Sequence, residues 1–196
     1  MITYLGIILR EVQPLLMATD INIEAAKATI KTSKANNVSV DVIQTNFVSG
    51  TTLTAEPFCS GASTGTVSDM CRLFAQQSVD VLIFNPPYVP TPDDEILQVT
   101  LENSESPDIN FIANAWAGGE DGRVVIDQFL PLLPTILANN DHSRCYLVLV
   151  DENKPKQIAR ILASKYQLDS DIIKSVRATN EMLHIMKITR SKPEVS

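Results

Sequence analysis

Asn85-Pro86-Pro87-Tyr88 follows directly on Val79-Asp80-Val81-Leu82-Ile83-Phe84, the most strand-like run in the chain. Proline has no N–H to give a ladder, so the strand stops there. Two prolines also restrict the backbone, and little entropy is lost in holding the loop. The Asn85 side-chain oxygen and the Pro86 carbonyl can both accept hydrogens from one –NH2 group. Tyr88 can lay its ring against a flat amide or nucleobase. The set suits a planar, weakly nucleophilic nitrogen that must be oriented toward an electrophilic carbon. Alignment of that kind supplies roughly 7–11 kcal/mol of a barrier. Acceptors already in place also stabilise the positive charge that develops on nitrogen. The plainer alternative is a strand terminator, because Asn-Pro and Pro-Pro are common turn dipeptides.

The elements around this loop predict how it is held. Leu15 to Ile21 is a short apolar run carrying Asp20 at its end, as a buried parallel strand would. Ile23, Ala26 and Ile30 then recur at helical spacing behind Asn22, a candidate N-cap, and the helix fades at Asn36-Asn37. Val38, Val40 and Val42 alternate with Ser39 and Asp41, which predicts a strand with one exposed face. Ser49 to Ser68 reads as a loop, Asp69 to Gln77 as a short helix, and Thr91 to Asn110 as an acidic irregular stretch. A helix starts near Gly122 and is bent or divided by Pro131 and Pro134. Cys145 to Val150 reads as a strand and Pro155 to Lys165 as a helix. Ile172 to Val176 and Leu183 to Ile188 read as two more strands about a turn at Asn180. Met1 to Arg10 is apolar without a basic leader or cleavage site and reads as a core helix. Strand–helix alternation predicts a largely parallel sheet covered by helices on both faces. Ligands of such sheets bind outside the carboxyl ends of the strands, where Asp20 and Asn85 both fall.

The 196 residues suit one domain, taken as 1–190 with a polar tail at 191–196. A net charge of −7 argues against binding a nucleic-acid backbone, and a protein or small-molecule substrate fits better. No apolar run approaches the roughly 18 residues that span a bilayer. Cys59, Cys71 and Cys145 are odd in number and never spaced Cys-x-x-Cys, which points to structural thiols in a reducing compartment and not to zinc. His142 and His184 stand apart, and His184, in a strand-like run, reads as a packed side chain and not a catalytic base.

Val81-Leu82-Ile83-Phe84-Asn85-Pro86-Pro87-Tyr88-Val89-Pro90, joined to Ala115-Trp116-Ala117-Gly118-Gly119-Glu120-Asp121-Gly122-Arg123, resembles the HemK-type glutamine N-methyltransferases. Within these the chain is most similar to the eukaryotic branch that methylates the Gly-Gly-Gln glutamine of class-1 translation release factors. The resemblance runs from Ala18 to Ile188. It implies a Rossmann-like class I methyltransferase fold with a mainly parallel seven-stranded sheet, in the cytoplasm and also the nucleus. It implies S-adenosylmethionine as cofactor and no metal. Asn85 would bind the glutamine amide, Pro86 would add its carbonyl, Pro87 would complete the loop, and Tyr88 would pack on the amide plane. Asp20 would hold the ribose hydroxyls with Ile21 beside the adenine. Asp20 as a helix N-cap is the alternative, and the two roles are compatible. Asn46 would lie near the adenine amino group, where the family carries an acidic residue. Trp116 and the Gly118-Gly119 turn would shape the pocket rim. The branch also implies a small zinc-binding activator subunit, with Val38 to Ile43 as the edge that receives it.

Nothing in Met1 to Gln13 matches the family's first strand and Gly-x-Gly-x-Gly turn. The expectation is that the chain starts in the first helix of the fold, without a strand between those ending at Asp20 and Phe84. Weak donor binding and lowered stability would follow. Two other classes compete: an N-methyltransferase acting on a nucleobase or a lysine, and a non-catalytic remnant that binds a partner.

Overall fold

A computed structural model describes residues 1–45, 77–92, 117–179 and 181–191. The chain divides into two compact units, Met1–Met70 and Cys71–Ser196, each with its own sheet.

In the first unit, helix α1 (Ile2–Ile8) precedes strand β1 (Met17–Asp20), helix α2 (Ile23–Ala35) and strand β2 (Asp41–Gln44). β1 and β2 pair in parallel, with Asp20 opposite Gln44. The expected Asn22 cap forms: its side-chain oxygen accepts from Glu24 N at 2.8 Å and from Ala25 N at 3.4 Å. That satisfies two N–H groups that the first helical turn leaves open. Helix α1 is not the core helix expected. It buries Thr3 and Gly6, while Tyr4 and Ile8 stay exposed. Gly6 marks its contact, since a Cβ there would come within 2.7 Å of Leu16 Cδ1 and also overlap Val38.

The second unit holds a four-stranded sheet ordered β3-β4-β6-β5, from β3 (Val81–Phe84), β4 (Arg144–Val150), β5 (Leu168–Arg177) and β6 (Met182–Arg190). β3 pairs with β4 in parallel, whereas β6 is antiparallel to both its neighbours. Three strands therefore run one way with β6 inserted against them. This differs from a sheet of seven largely parallel strands: the described residues form one two-stranded sheet and one four-stranded mixed sheet. The reversal comes from the β5–β6 hairpin, where Ala178 and Glu181 exchange both backbone hydrogen bonds about a two-residue turn. A two-residue connection can only join antiparallel strands. Both hairpin strands outrun their expected bounds, because Leu168–Arg177 carries exposed polar residues that a hydrophobic pattern cannot register as strand.

Between β3 and β4 lie α3 (Val124–Phe129), a 3-10 turn (Leu130–Leu132) and α4 (Leu133–Ile136), so Pro131 and Pro134 do divide the helix. α5 (Pro155–Tyr166) buries Ile158 and Leu162. Fully buried Cys145, Leu147 and Leu149 place β4 in the core with Phe129, Leu133 and Ile188. Burial raises the Cys145 thiol well above its ordinary range, as fits an inert structural cysteine. Arg190 closes the end of α4 by donating to the carbonyls of Pro134, Leu137 and Ala138. Among the described residues no helix is long and apolar enough to cross a membrane. The readings at 49–68, 69–76, 93–110 and Asn180, and the thiols of Cys59 and Cys71, lie outside the described residues.

Replacing Arg190 by alanine strips charged donors from three half-buried carbonyls. Urea unfolding is expected to show a loss of about 2–3 kcal/mol. A change below about 0.5 kcal/mol, the level of an ordinary surface substitution, would show that water satisfies these groups.

Candidate active site

β3 and β4 deliver their carboxyl ends side by side, and three short segments meet there. The first is Asn85–Val89, straight after β3. Phe84 packs against Phe129 with ring centroids 4.4 Å apart, which pins the residue before Asn85 to α3. Pro86 is buried and Asn85 exposed. Among the described residues no partner engages the Asn85 side chain, so its amide faces outward from a fixed base. Tyr88 is half-buried, and its phenol is pushed above its usual range by burial and by the charge of Glu181. The ring stays neutral at physiological pH.

The second segment is the glycine turn Gly118–Arg123, which grips the first. Gly118 N donates to Val89 O at 2.8 Å and Thr91 N to Gly119 O at 3.0 Å, with a parallel bridge between Val89 and Ala117. A Cβ on Gly118 would come within 2.7 Å of Pro87 O. Gly122 has φ +65°, and a Cβ there would overlap the Tyr88 carbonyl. Glycine is needed at Gly122 for both reasons: the left-handed backbone and the close approach.

The third segment, Asp151–Lys154, leaves the end of β4. Asn153 is fully buried. Its Nδ2 donates to Tyr88 O and Asp121 O, each at 2.9 Å, and its Oδ1 accepts from Val150 N at 2.8 Å. Behind it, buried Arg123 donates to Asn153 O at 3.3 Å, to Gln157 Oε1 at 2.8 Å and to Asp127 Oδ1 at 3.0 Å. Lys154 pairs with Asp121. Sequence reasoning missed Asn153 and gave Arg123 no role. The available signal was Asn153-Lys154-Pro155 at the end of a buried strand, a position as favoured as that of Asn85. His184 is packed as expected, yet it also bridges Ser175 Oγ through Nδ1 and Asp151 Oδ1 through Nε2, each at 2.8 Å. Asp151 is exposed, and the trio ties the hairpin to the end of β4.

In the first unit Asp20 stands exposed at the carboxyl end of β1. Its Oδ1 accepts from Asn22 N at 2.9 Å, so Asp20 shapes the turn while Asn22 caps the helix. Gln44 Nε2 donates to Ile21 O at 3.2 Å, fixing Ile21 beside the end of β2. The structure thus groups Asn85, Pro86, Pro87 and Tyr88 with the glycine turn, and Asp20 with Ile21. Asn46 and Trp116 lie outside the described residues. Among the described residues no group of three His, Cys, Asp or Glu side chains is placed to hold a metal ion.

No family model matches the chain. A human protein named Methyltransferase HEMK2 is 35% identical over 179 residues, 91% of this chain and 68% of that one. The Schizosaccharomyces pombe protein named eRF1 methyltransferase catalytic subunit mtq2 is 40% identical over 112 residues, covering 57% of this chain and 43% of its own length. Of solved structures, the E. cuniculi Mtq2-Trm112 complex, described as methylating the eRF1 termination factor, superposes with a TM-score of 0.44 at 19% identity over 97% of this chain and 95% of that one. The chain belongs to the HEMK2 methyltransferase family and is a methyltransferase.

Gly122→Ala is expected to be costly. A left-handed alanine alone costs about 1–2 kcal/mol, and the Tyr88 carbonyl must also move away. Urea unfolding equal to that of wild type would show that the turn can relax without displacing the Tyr88 loop.

Proposed function

We propose that this HEMK2-family methyltransferase transfers a methyl group from S-adenosylmethionine to the glutamine side-chain amide in the Gly-Gly-Gln tripeptide of a class-1 translation release factor. The observation that carries the reading is the exposed Asn85 amide beside Pro86, engaged by none of the described residues, on a loop held from behind at Phe84 and Tyr88. The fission-yeast relative's name supports the substrate class. A translation-factor substrate favours the cytoplasm as the enzyme's location, and the nucleus is a second location within the same proposal. The seven-stranded Rossmann-like methyltransferase sheet belongs to the same proposal.

Asn85 Oδ1 and the Pro86 carbonyl accept the two hydrogens of the substrate amide. Its nitrogen then turns its remaining face toward the methyl donor, while Tyr88 packs on the amide plane. S-adenosylmethionine supplies an electrophilic, sulfonium-bound methyl group. As charge develops on nitrogen the two fixed acceptors bind more strongly than in the ground state, and one N–H proton leaves to solvent. The residues present fit the donor's ribose. The Asp20 carboxylate is exposed at a strand end, and only Oδ1 is used by the turn, which leaves acceptor sites for two hydroxyls. Ile21 would border the adenine and Asn46 its amino group, with Trp116 at the substrate rim. A small zinc-binding activator would pair at the β2 edge, which has β1 on one side.

Two substitutions test the reading with a release-factor substrate. Asn85→Ala is expected to lower kcat about 100-fold, the effect of losing one oriented hydrogen bond in the transition state. Near-normal turnover would remove the loop from the chemistry. Asp20→Ala is expected to weaken donor affinity about 10-fold or more with little change in kcat, because the ribose does not change during transfer. A lower kcat at unchanged donor affinity would assign Asp20 another part.

A further inference from the structure

The Asn85–Pro86 acceptors lie between two fixed points of the backbone. One is Phe84, packed on Phe129 at a centroid distance of 4.4 Å. The other is the Tyr88 carbonyl, which receives Asn153 Nδ2 at 2.9 Å. We propose that Asn153 is a positioning residue for the methyl-acceptor loop, its buried amide setting the height of the Pro86–Tyr88 backbone and hence the direction of the two acceptors. The inference rests on the reading of that loop as the acceptor site.

The side chain can do this because its amide is satisfied in one orientation. Oδ1 faces the Val150 N–H, while Nδ2 faces the carbonyls of Tyr88 and Asp121, with Gly122 O further off at 3.4 Å. A flipped amide would set an oxygen against those carbonyls and an NH2 against an N–H, so the site selects one rotamer. Asn153 is itself held through its backbone, whose carbonyl accepts from buried Arg123. Room for the contact comes from Gly122, where a Cβ would overlap Tyr88 O and come within 2.5 Å of Asn153 Nδ2. The Tyr88 carbonyl, committed to Asn153, is withdrawn from the substrate. Asn85 and Pro86 are left to receive it.

The test compares Asn153→Ala and Asn153→Asp with wild type in the full chain. It reads kcat and KM on a Gly-Gly-Gln peptide, donor affinity with its binding stoichiometry, and amide exchange at Gly118 and Thr91. For Asn153→Ala, kcat per donor-binding site is expected to fall about 100-fold, the scale of a misplacement near 1 Å. KM and donor Kd should stay within about threefold of wild type, since neither the rest of the peptide site nor the ribose contact is touched. The Gly118 and Thr91 amides should exchange faster as the loop loosens. Asn153→Asp keeps the Val150 contact and turns an oxygen on the Tyr88 carbonyl. Its kcat per site should recover partly as pH falls, because a protonated carboxyl regains one donor. A merely structural role would lower the number of donor-binding sites and leave kcat per site normal. That result, or kcat per site within threefold of wild type for Asn153→Ala, overturns the proposal. If wild type itself leaves the peptide unmethylated while Asn153→Ala still speeds exchange at both amides, the glutamine reading fails and the anchoring stands.

Discussion

The parallel ladder between β3 and β4 sets what the second unit can do. Val81 to Phe84 pair with Arg144 to Leu147, so both strands run out at the same end of the sheet. β4 is flanked by β3 and β6 and buries Cys145, Leu147 and Leu149 completely. A strand so placed cannot shift without breaking ladder bonds on two sides and opening cavities in the core. Whatever leaves its carboxyl end inherits that rigidity. Asn153 leaves it three residues later, and Asn85 leaves β3 immediately. Their relative position is thus fixed by core packing and not by loop contacts alone.

Within the loops, strain and charge are concentrated where backbones must come close. Gly122 takes the left-handed conformation and gives up its side chain so that Tyr88 O can approach. Arg123, next in sequence, directs its guanidinium to the Asn153 carbonyl and to Asp127 and Gln157. A buried guanidinium without such partners would be costly, and with them it locks the glycine turn to α3 and α5. Among the described residues no buried side-chain nitrogen or oxygen is left without a partner. The network is complete, the condition under which buried polar groups confer rigidity.

Much of this was legible in the sequence because the signals were local. Asn22 as a cap, the stop at Asn85-Pro86 and the division by Pro131 and Pro134 each depend on one or two residues whose chemistry does not change with context. The place of β6 in the sheet was not legible: its apolar residues say that it is a strand, not that it inserts between β4 and β5. The exposure of α1 is hidden for a related reason: composition shows how apolar a helix is, not which neighbour covers it. Asn153 escaped notice because a buried asparagine has no periodicity. Its meaning lies in the carbonyls of Tyr88, Asp121 and Gly122, all distant in sequence, together with the nearby Val150 N–H.

The two prolines explain why an asparagine is needed at that position. Pro86 and Pro87 have no N–H, so at these two positions the loop offers carbonyls only, and a carbonyl removed from water must find a donor elsewhere. For Tyr88 O that donor comes from Asn153, for Val89 O from Gly118 N at 2.8 Å. The carbonyls at the rear of the loop are thereby consumed. The side chain at its front, Asn85, is exposed and engaged by none of the described residues. A loop poor in backbone donors and anchored from behind leaves the Asn85 amide at its front, whose oxygen can accept from an –NH2 group.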